Sequence, residues 1–103
     1  MSEKPGSVLF CCSRNAIRSP MAEGICKRLI GTTIYIDSAG LHPQSEPDGF
    51  MITCMDELGI NMRNHHCKSF EQLYDISFDI VIAMSEAAYS RAKELTRMMA
   101  STV

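Results

Sequence analysis

Three short apolar runs, each followed by a stretch with helical spacing, constrain this chain more than any other feature. Ser7 to Cys11 is nearly continuous in apolar residues. Thr33 to Asp37 is a second such run, and Phe78 to Met84, centred on Ile80-Val81-Ile82-Ala83, is the third. Runs of this kind mark strands buried on both faces, which a parallel sheet covered by helices provides. The connecting segments supply those helices. After Pro20, which a helix tolerates in its first turn, Met21, Ala22, Ile25 and Leu29 recur at helical spacing, and Gly31 marks the end. Phe50 to Leu58 repeats the pattern through Met51, Cys54, Met55 and Leu58, then stops at Gly59. Ser69-Phe70-Glu71-Gln72 fits a capping box, and Ser85 is placed to cap a last helix with Ala88, Ala92, Leu95 and Met99 on its buried stripe. Ser38-Ala39-Gly40 is expected to close the second strand, with loops at Leu41–Gly49 and Ile60–Lys68. The alternation predicts an α/β parallel sheet with helices on both faces.

At 103 residues the chain reads as one domain, 1–103. A net charge of −2, with no long Lys/Arg cluster, argues against nucleic acid and membrane surfaces as partners. No apolar stretch approaches a membrane span, and the first six residues lack the core of a signal peptide, so a cytoplasmic location is expected. Five cysteines, an odd number without a Cys-x-x-Cys pair, point to free thiols. Cys11, Cys26 and Cys54, on apolar faces, read as small hydrophobes.

Cys12 differs. It ends the first apolar run and is followed by Ser13-Arg14-Asn15-Ala16-Ile17-Arg18-Ser19-Pro20. A thiol, a loop of backbone amides and a guanidinium arriving at a helix start together grip and attack a phosphate dianion. The amides and the helix dipole favour the anion and lower the thiol pKa. Arg18 forks onto two phosphate oxygens, a geometry Lys does not match.

Cys12-x5-Arg18 followed by Ser19-Pro20-Met21-Ala22-Glu23 resembles the low-molecular-weight protein tyrosine phosphatase family. The resemblance continues through Asp37-Ser38-Ala39-Gly40, Met55-Asp56-Glu57-Leu58-Gly59-Ile60, His65 and Phe78-Asp79-Ile80-Val81-Ile82-Ala83-Met84. It implies a flavodoxin-like fold and a cysteinyl-phosphate intermediate on Cys12. Arg18 would bind phosphate and stabilise the transition state, with backbone contacts from Ser13, Arg14, Asn15, Ala16, Ile17 and Arg18. Ser19 would donate to the Cys12 thiolate, Asn15 would hold the loop, and Ser38 and His65 would support it. The implied partners are a phosphotyrosine protein or small aryl phosphate and phosphate-like anions, with no cofactor and no metal.

Three departures stand out. Arg14 replaces the family's usual Gly and adds a positive charge at the mouth of the site. Ile17 stands where many relatives carry a second Cys. The family continues to a general-acid Asp-Pro pair, a fourth strand and a closing helix, and no Asp-Pro pair occurs in this sequence. The fold is therefore expected to show three strands, with the third an open edge that invites dimerisation. Asp37, Asp48, Asp75 and Asp79 are candidate replacement acids, although solvated or capping roles suit each better. The His65-His66-Cys67 cluster has poor metal spacing. An arsenate reductase of the same fold and a non-catalytic phosphate- or phosphotyrosine-binding fragment are the competing functions. Cys54 and Cys67 precede the third strand, whereas the reductase's relay cysteines follow it.

Overall fold

The computed structural model describes residues 5–73, 77–97 and 101–103. Three strands, β1 (Ser7–Cys12), β2 (Tyr35–Gly40) and β3 (Ile80–Ala83), form a parallel sheet in the order β2-β1-β3. The helices are α1 (Arg18–Ile30), α2 (Gly49–Glu57) and α3 (Glu86–Thr96), with a 3-10 turn at Phe70–Gln72. This is the flavodoxin-like arrangement expected. Central β1 explains its own sequence: Val8 and Phe10 pack with Ile34 and Ile36 beneath Ala22 and Cys26 of α1. Leu9 and Cys11 face the other way, into a cluster with Phe70, Phe78, Val81, Ala88 and Ala92 on the α3 side. Both faces are covered, so alternation is absent from the strand.

Local signals settle the element ends. Asp48 caps α2 by accepting from the Met51 amide at 3.0 Å, and Ser85 caps α3 by accepting from Ala88 at 3.2 Å. The capping box at Ser69 is present, with its side chain and that of Gln72 bonding reciprocally to the backbone. Gly59 takes φ +77 after α2.

The second strand extends beyond the sequence reading. Ser38, Ala39 and Gly40, expected to close it, pair in register with Phe10, Cys11 and Cys12. The long central strand offers them a partner, and local turn propensity yields to that ladder. The buried stripe of α1 also differs. Leu29 is 76% exposed and Ile25 half-exposed, whereas Ser19, Pro20, Glu23 and Gly24 are buried. On α2, Met51 and Met55 are buried as expected and join Met62, but Cys54 and Leu58 face solvent. Of the α3 stripe, Ala88 and Ala92 are buried, Leu95 is partly buried, and Met99 lies outside the described residues.

The third strand is not a bare edge along its whole length. The Val81 amide donates to the Thr102 carbonyl at 2.7 Å, and the Thr102 amide donates to the Asp79 carbonyl at 2.9 Å. Residues at the C-terminal side of α3 thus occupy the outer flank of β3 where the sequence suggested it was open.

Candidate active site

The loop from Ser13 to Ile17 joins the carboxyl end of β1 to α1, where ligands gather in open α/β sheets. The carbonyls from Cys12 to Ala16 are all taken by other segments, while that of Ile17 accepts from Met21 in α1. Leu41, His42 and Gln44 donate their amides to the carbonyls of Cys12, Ser13 and Arg14 at 3.2, 2.8 and 3.1 Å. His65 Nε2 lies 3.1 Å from the Asn15 carbonyl, and the Asp48 amide donates to Ala16 at 3.1 Å. A trans peptide points its N–H opposite its carbonyl. Five carbonyls held outward therefore turn the amides of Ser13 to Ile17 toward the hollow above Cys12. Backbone amides so arranged can cradle an anion.

Asn15 makes the reversal. It adopts φ +53, a left-handed conformation that Asn tolerates better than most residues. Its side chain is buried and fully used: Nδ2 donates to Ser19 Oγ and to Ser38 Oγ, both at 2.9 Å, and Oδ1 accepts from the Lys68 amide at 2.9 Å. One side chain ties the loop to α1, β2 and the segment before the 3-10 turn. Gly40 completes the fit. A Cβ there would lie 2.7 Å from the Asn15 nitrogen and 2.9 Å from the Arg14 carbonyl carbon, so the loop rests directly on its backbone.

The direction of the hydrogen bonds follows from donor counting. Asn15 gives one amide hydrogen to each hydroxyl, leaving each hydroxyl its own proton to pass on. Ser19 Oγ, 2.9 Å from Cys12 Sγ, donates to the sulfur; Ser38 Oγ donates to Glu23 Oε1 at 2.5 Å. The Asn15 amide donates to the same sulfur at 3.2 Å. Burial pushes the Cys12 thiol up. The hydrogen bonds from the Ser19 side chain and from the backbone at Ser19, Asn15 and Arg14 outweigh it, and the thiol sits below its ordinary value. Neighbouring Cys11 has burial without such donors, compounded by the Cys12 charge, and is pushed up to about 12.

His65 sits with its side chain 4% exposed, and burial lowers its pKa below the ordinary value, against the Asn15 carbonyl and the Glu23 charge. Because a carbonyl only accepts, Nε2 carries the proton in this contact. Arg18 is exposed at the mouth, its Nη1 donating to the Met84 carbonyl at 2.7 Å. Cys12, Ser13, Arg14, Ala16, Ile17, Arg18 and Gln44 line a cleft of about 310 Å³. A larger hollow of about 590 Å³, bordered by Glu23, Lys27, Asn61 and His65, lies away from Cys12.

Every expected site residue thus belongs to the loop or touches it, and Ser38 does so from within a strand. Sequence reasoning missed Glu23 as a member of this network. Its carboxylate is buried, bonded to Ser38 and paired with Lys27 Nζ at 2.6 Å. The signal was available: Ser19, Glu23 and Lys27 recur every four residues, a polar stripe on one face of α1. The outer amides of residues 41–48 carry no side-chain signal at all.

The candidate acids lie elsewhere. Asp37 pairs with Lys68 at 2.8 Å, Asp48 caps α2, and Asp79 accepts from Gly6 at 2.6 Å, at the other end of the sheet. Asp75 lies outside the described residues. Among the described residues, no carboxylate lines the cleft.

Residues 7–103 match the model of the low molecular weight phosphotyrosine protein phosphatase family. The chain belongs to that family. A glutaredoxin arsenate reductase of Synechocystis is 35% identical over 77 residues, covering 75% of this chain and 58% of the relative. A low molecular weight phosphotyrosine protein phosphatase of Sus scrofa is 29% identical over 99 residues, covering 88% of this chain and 60% of the relative. A solved arsenate reductase in a phosphate-binding state superimposes with a TM-score of 0.68 at 33% identity, over 75% of this chain and 58% of that one. The chain spans about three fifths of the length of the curated relatives it matches.

Proposed function

We propose that this family member is a cysteine-dependent phosphatase acting on aryl phosphate monoesters, phosphotyrosine among them. The observation that carries the proposal is the hydrogen-bond direction Asn15 to Ser19 to Cys12, which holds a thiolate beneath inward-facing amides. The cradle and Arg18 take the phosphate oxygens. The thiolate attacks phosphorus, forming the S–P bond as the P–O bond to the aryl group breaks, and the phenolate leaves with the bonding pair. Water then attacks the cysteinyl phosphate, giving inorganic phosphate and regenerating the thiolate. With no carboxylate among the described lining residues, the leaving group takes its proton from solvent. Relatives that act on or bind phosphate support the reading at family level. A cytoplasmic setting with free thiols fits this chemistry.

A second reading, arsenate reduction, is favoured by the arsenate reductases among the relatives. It would start with the same thiolate attacking arsenate, but it needs further cysteines to complete the electron transfer. Cys67 is partly buried and Cys54 exposed, and neither lines the cleft. A third, anion binding without turnover, rests on the absence of a carboxylate among the described residues that line the cleft.

Acid-quenched turnover of p-nitrophenyl phosphate, followed by peptide mass spectrometry, tests the choice. Phosphoryl mass on the Cys12 peptide together with nitrophenol release supports the phosphatase. Arsenate-dependent consumption of a thiol reductant without ester hydrolysis would replace it with the reductase. Phosphate binding with neither reaction would leave a binding protein.

A further inference from the structure

The cleft holds two guanidinium groups, and the phosphate chemistry uses one. Resting on the reading of this cleft as a phosphate site, we propose that Arg14 forms a second anion subsite. It would select substrates that carry a carboxylate beside the phosphorylated ring, such as phosphotyrosine in an acidic peptide.

Three observations carry the assignment. First, Arg14 and Arg18 are both exposed and line the cleft, while neither forms an ion pair among the described residues. Arg63 and Arg91, by contrast, are neutralised by Asp56, Glu71 and Glu94. Second, the two cleft arginines are tethered on opposite sides. Arg14 Nη1 donates to Gln44 Oε1 at 3.3 Å, in the loop that follows β2, while Arg18 reaches Met84 just beyond β3. β1 runs between those strands, so the two tethers follow strands on opposite sides of the one that carries Cys12. A phosphate over Cys12 would enter a cleft lined by both arginines. Third, the Arg14 tether is long, neutral and exposed, which leaves its remaining N–H donors available to a carboxylate.

Charge balance gives the ligand class. A phosphate dianion bound by the amide cradle and Arg18 is largely compensated, while Arg14 remains a single uncompensated positive charge. A monoanionic carboxylate answers it with two parallel hydrogen bonds. A cationic flank on the substrate meets repulsion from the same group.

Calorimetric binding of benzylphosphonate and of its ring-carboxymethyl derivative to the full chain tests this without requiring turnover. The carboxylate should strengthen binding roughly two- to five-fold at low ionic strength, the range of an exposed ion pair, and less at high salt. Arg14→Gln should remove that advantage. Gln44→Ala, which frees the guanidinium while keeping its charge, should retain most of it. Equal affinity for the two phosphonates in the parent chain, or an advantage that survives Arg14→Gln in a variant with an unchanged melting curve, would overturn the subsite. Failure of both phosphonates to bind would overturn the phosphate-site reading itself, and the subsite with it.

Discussion

Asn15 concentrates the chemistry of the site in one side chain, because its two N–H bonds decide which way the neighbouring hydroxyls point. Ser19→Ala removes the donor that faces Cys12, so the midpoint of iodoacetamide alkylation against pH should move upward from a value below the ordinary thiol range of about 8.5. An unshifted midpoint would show that the backbone amides alone hold the thiolate. Cys11 should stay unmodified across the same titration, since it is buried and its thiol is pushed up to about 12. Cys12→Ser should abolish hydrolysis while phosphate still binds, because the cradle consists of amides. Arg18→Ala should lose both. Much of this was legible: Cys12 and Arg18 announce themselves by type and spacing, and the family resemblance implied Ser19 and Asn15. Glu23 was passed over, since a Glu on a helix ordinarily reads as solvated, although its four-residue spacing from Ser19 and Lys27 marked it. Its burial follows from Ser38, which sequence reasoning placed at the close of the second strand and the sheet draws into β2.

At the scale of elements, β1 and the last helix were readable because a continuous apolar run and a serine cap each have one physical explanation. The buried face of α1 was not. Leu29 and Ile25 suggested a stripe, but the helix turns Ser19 and Glu23 toward the loop and Gly24 toward the methionines. The needs of the site override the apolar pattern there. Gly40→Ala provides the sharpest test of the contact between β2 and the loop. Its Cβ would meet backbone rather than a flexible side chain, so the loop must shift. We expect a fall in activity of about tenfold or more with a smaller loss of melting temperature, the pattern of a misplaced cradle. Met55→Ala, at a fully buried residue that does not line the cleft, should cost about 2–5 kcal/mol in denaturant unfolding without shifting the Cys12 titration. Equal disturbance of the titration by both would mean that the site responds to stability rather than to contact.

Considered as a whole, the molecule lacks a described carboxylate positioned for proton donation, and its turnover should follow the leaving group accordingly. Loss of a general acid costs about 10²–10⁴ in rate, mainly for poor leaving groups. Nitrophenyl phosphate should therefore be hydrolysed far faster than a phosphotyrosine peptide; similar rates would reveal an acid outside the described residues. The same scale governs association. Thr102 already takes the hydrogen bonds of Asp79 and Val81, so another chain must displace it to pair there. Removing residues 101–103 should raise self-association in sedimentation velocity, and an unchanged profile would mean that β3 is no template for pairing.

The loop's dependence on distant segments has a consequence for measurement. Asn15 joins residues 19, 38 and 68, and its carbonyl meets His65, so the cradle exists only while widely separated stretches of chain are docked together. Unfolding any of them returns Cys12 to the reactivity of a free thiol. In mildly acidic solution, where an ordinary cysteine is almost entirely protonated, the rate of Cys12 labelling becomes a running gauge of how many molecules are folded. The protein carries its own reporter, at the atom to which the proposed function assigns the attack on phosphorus.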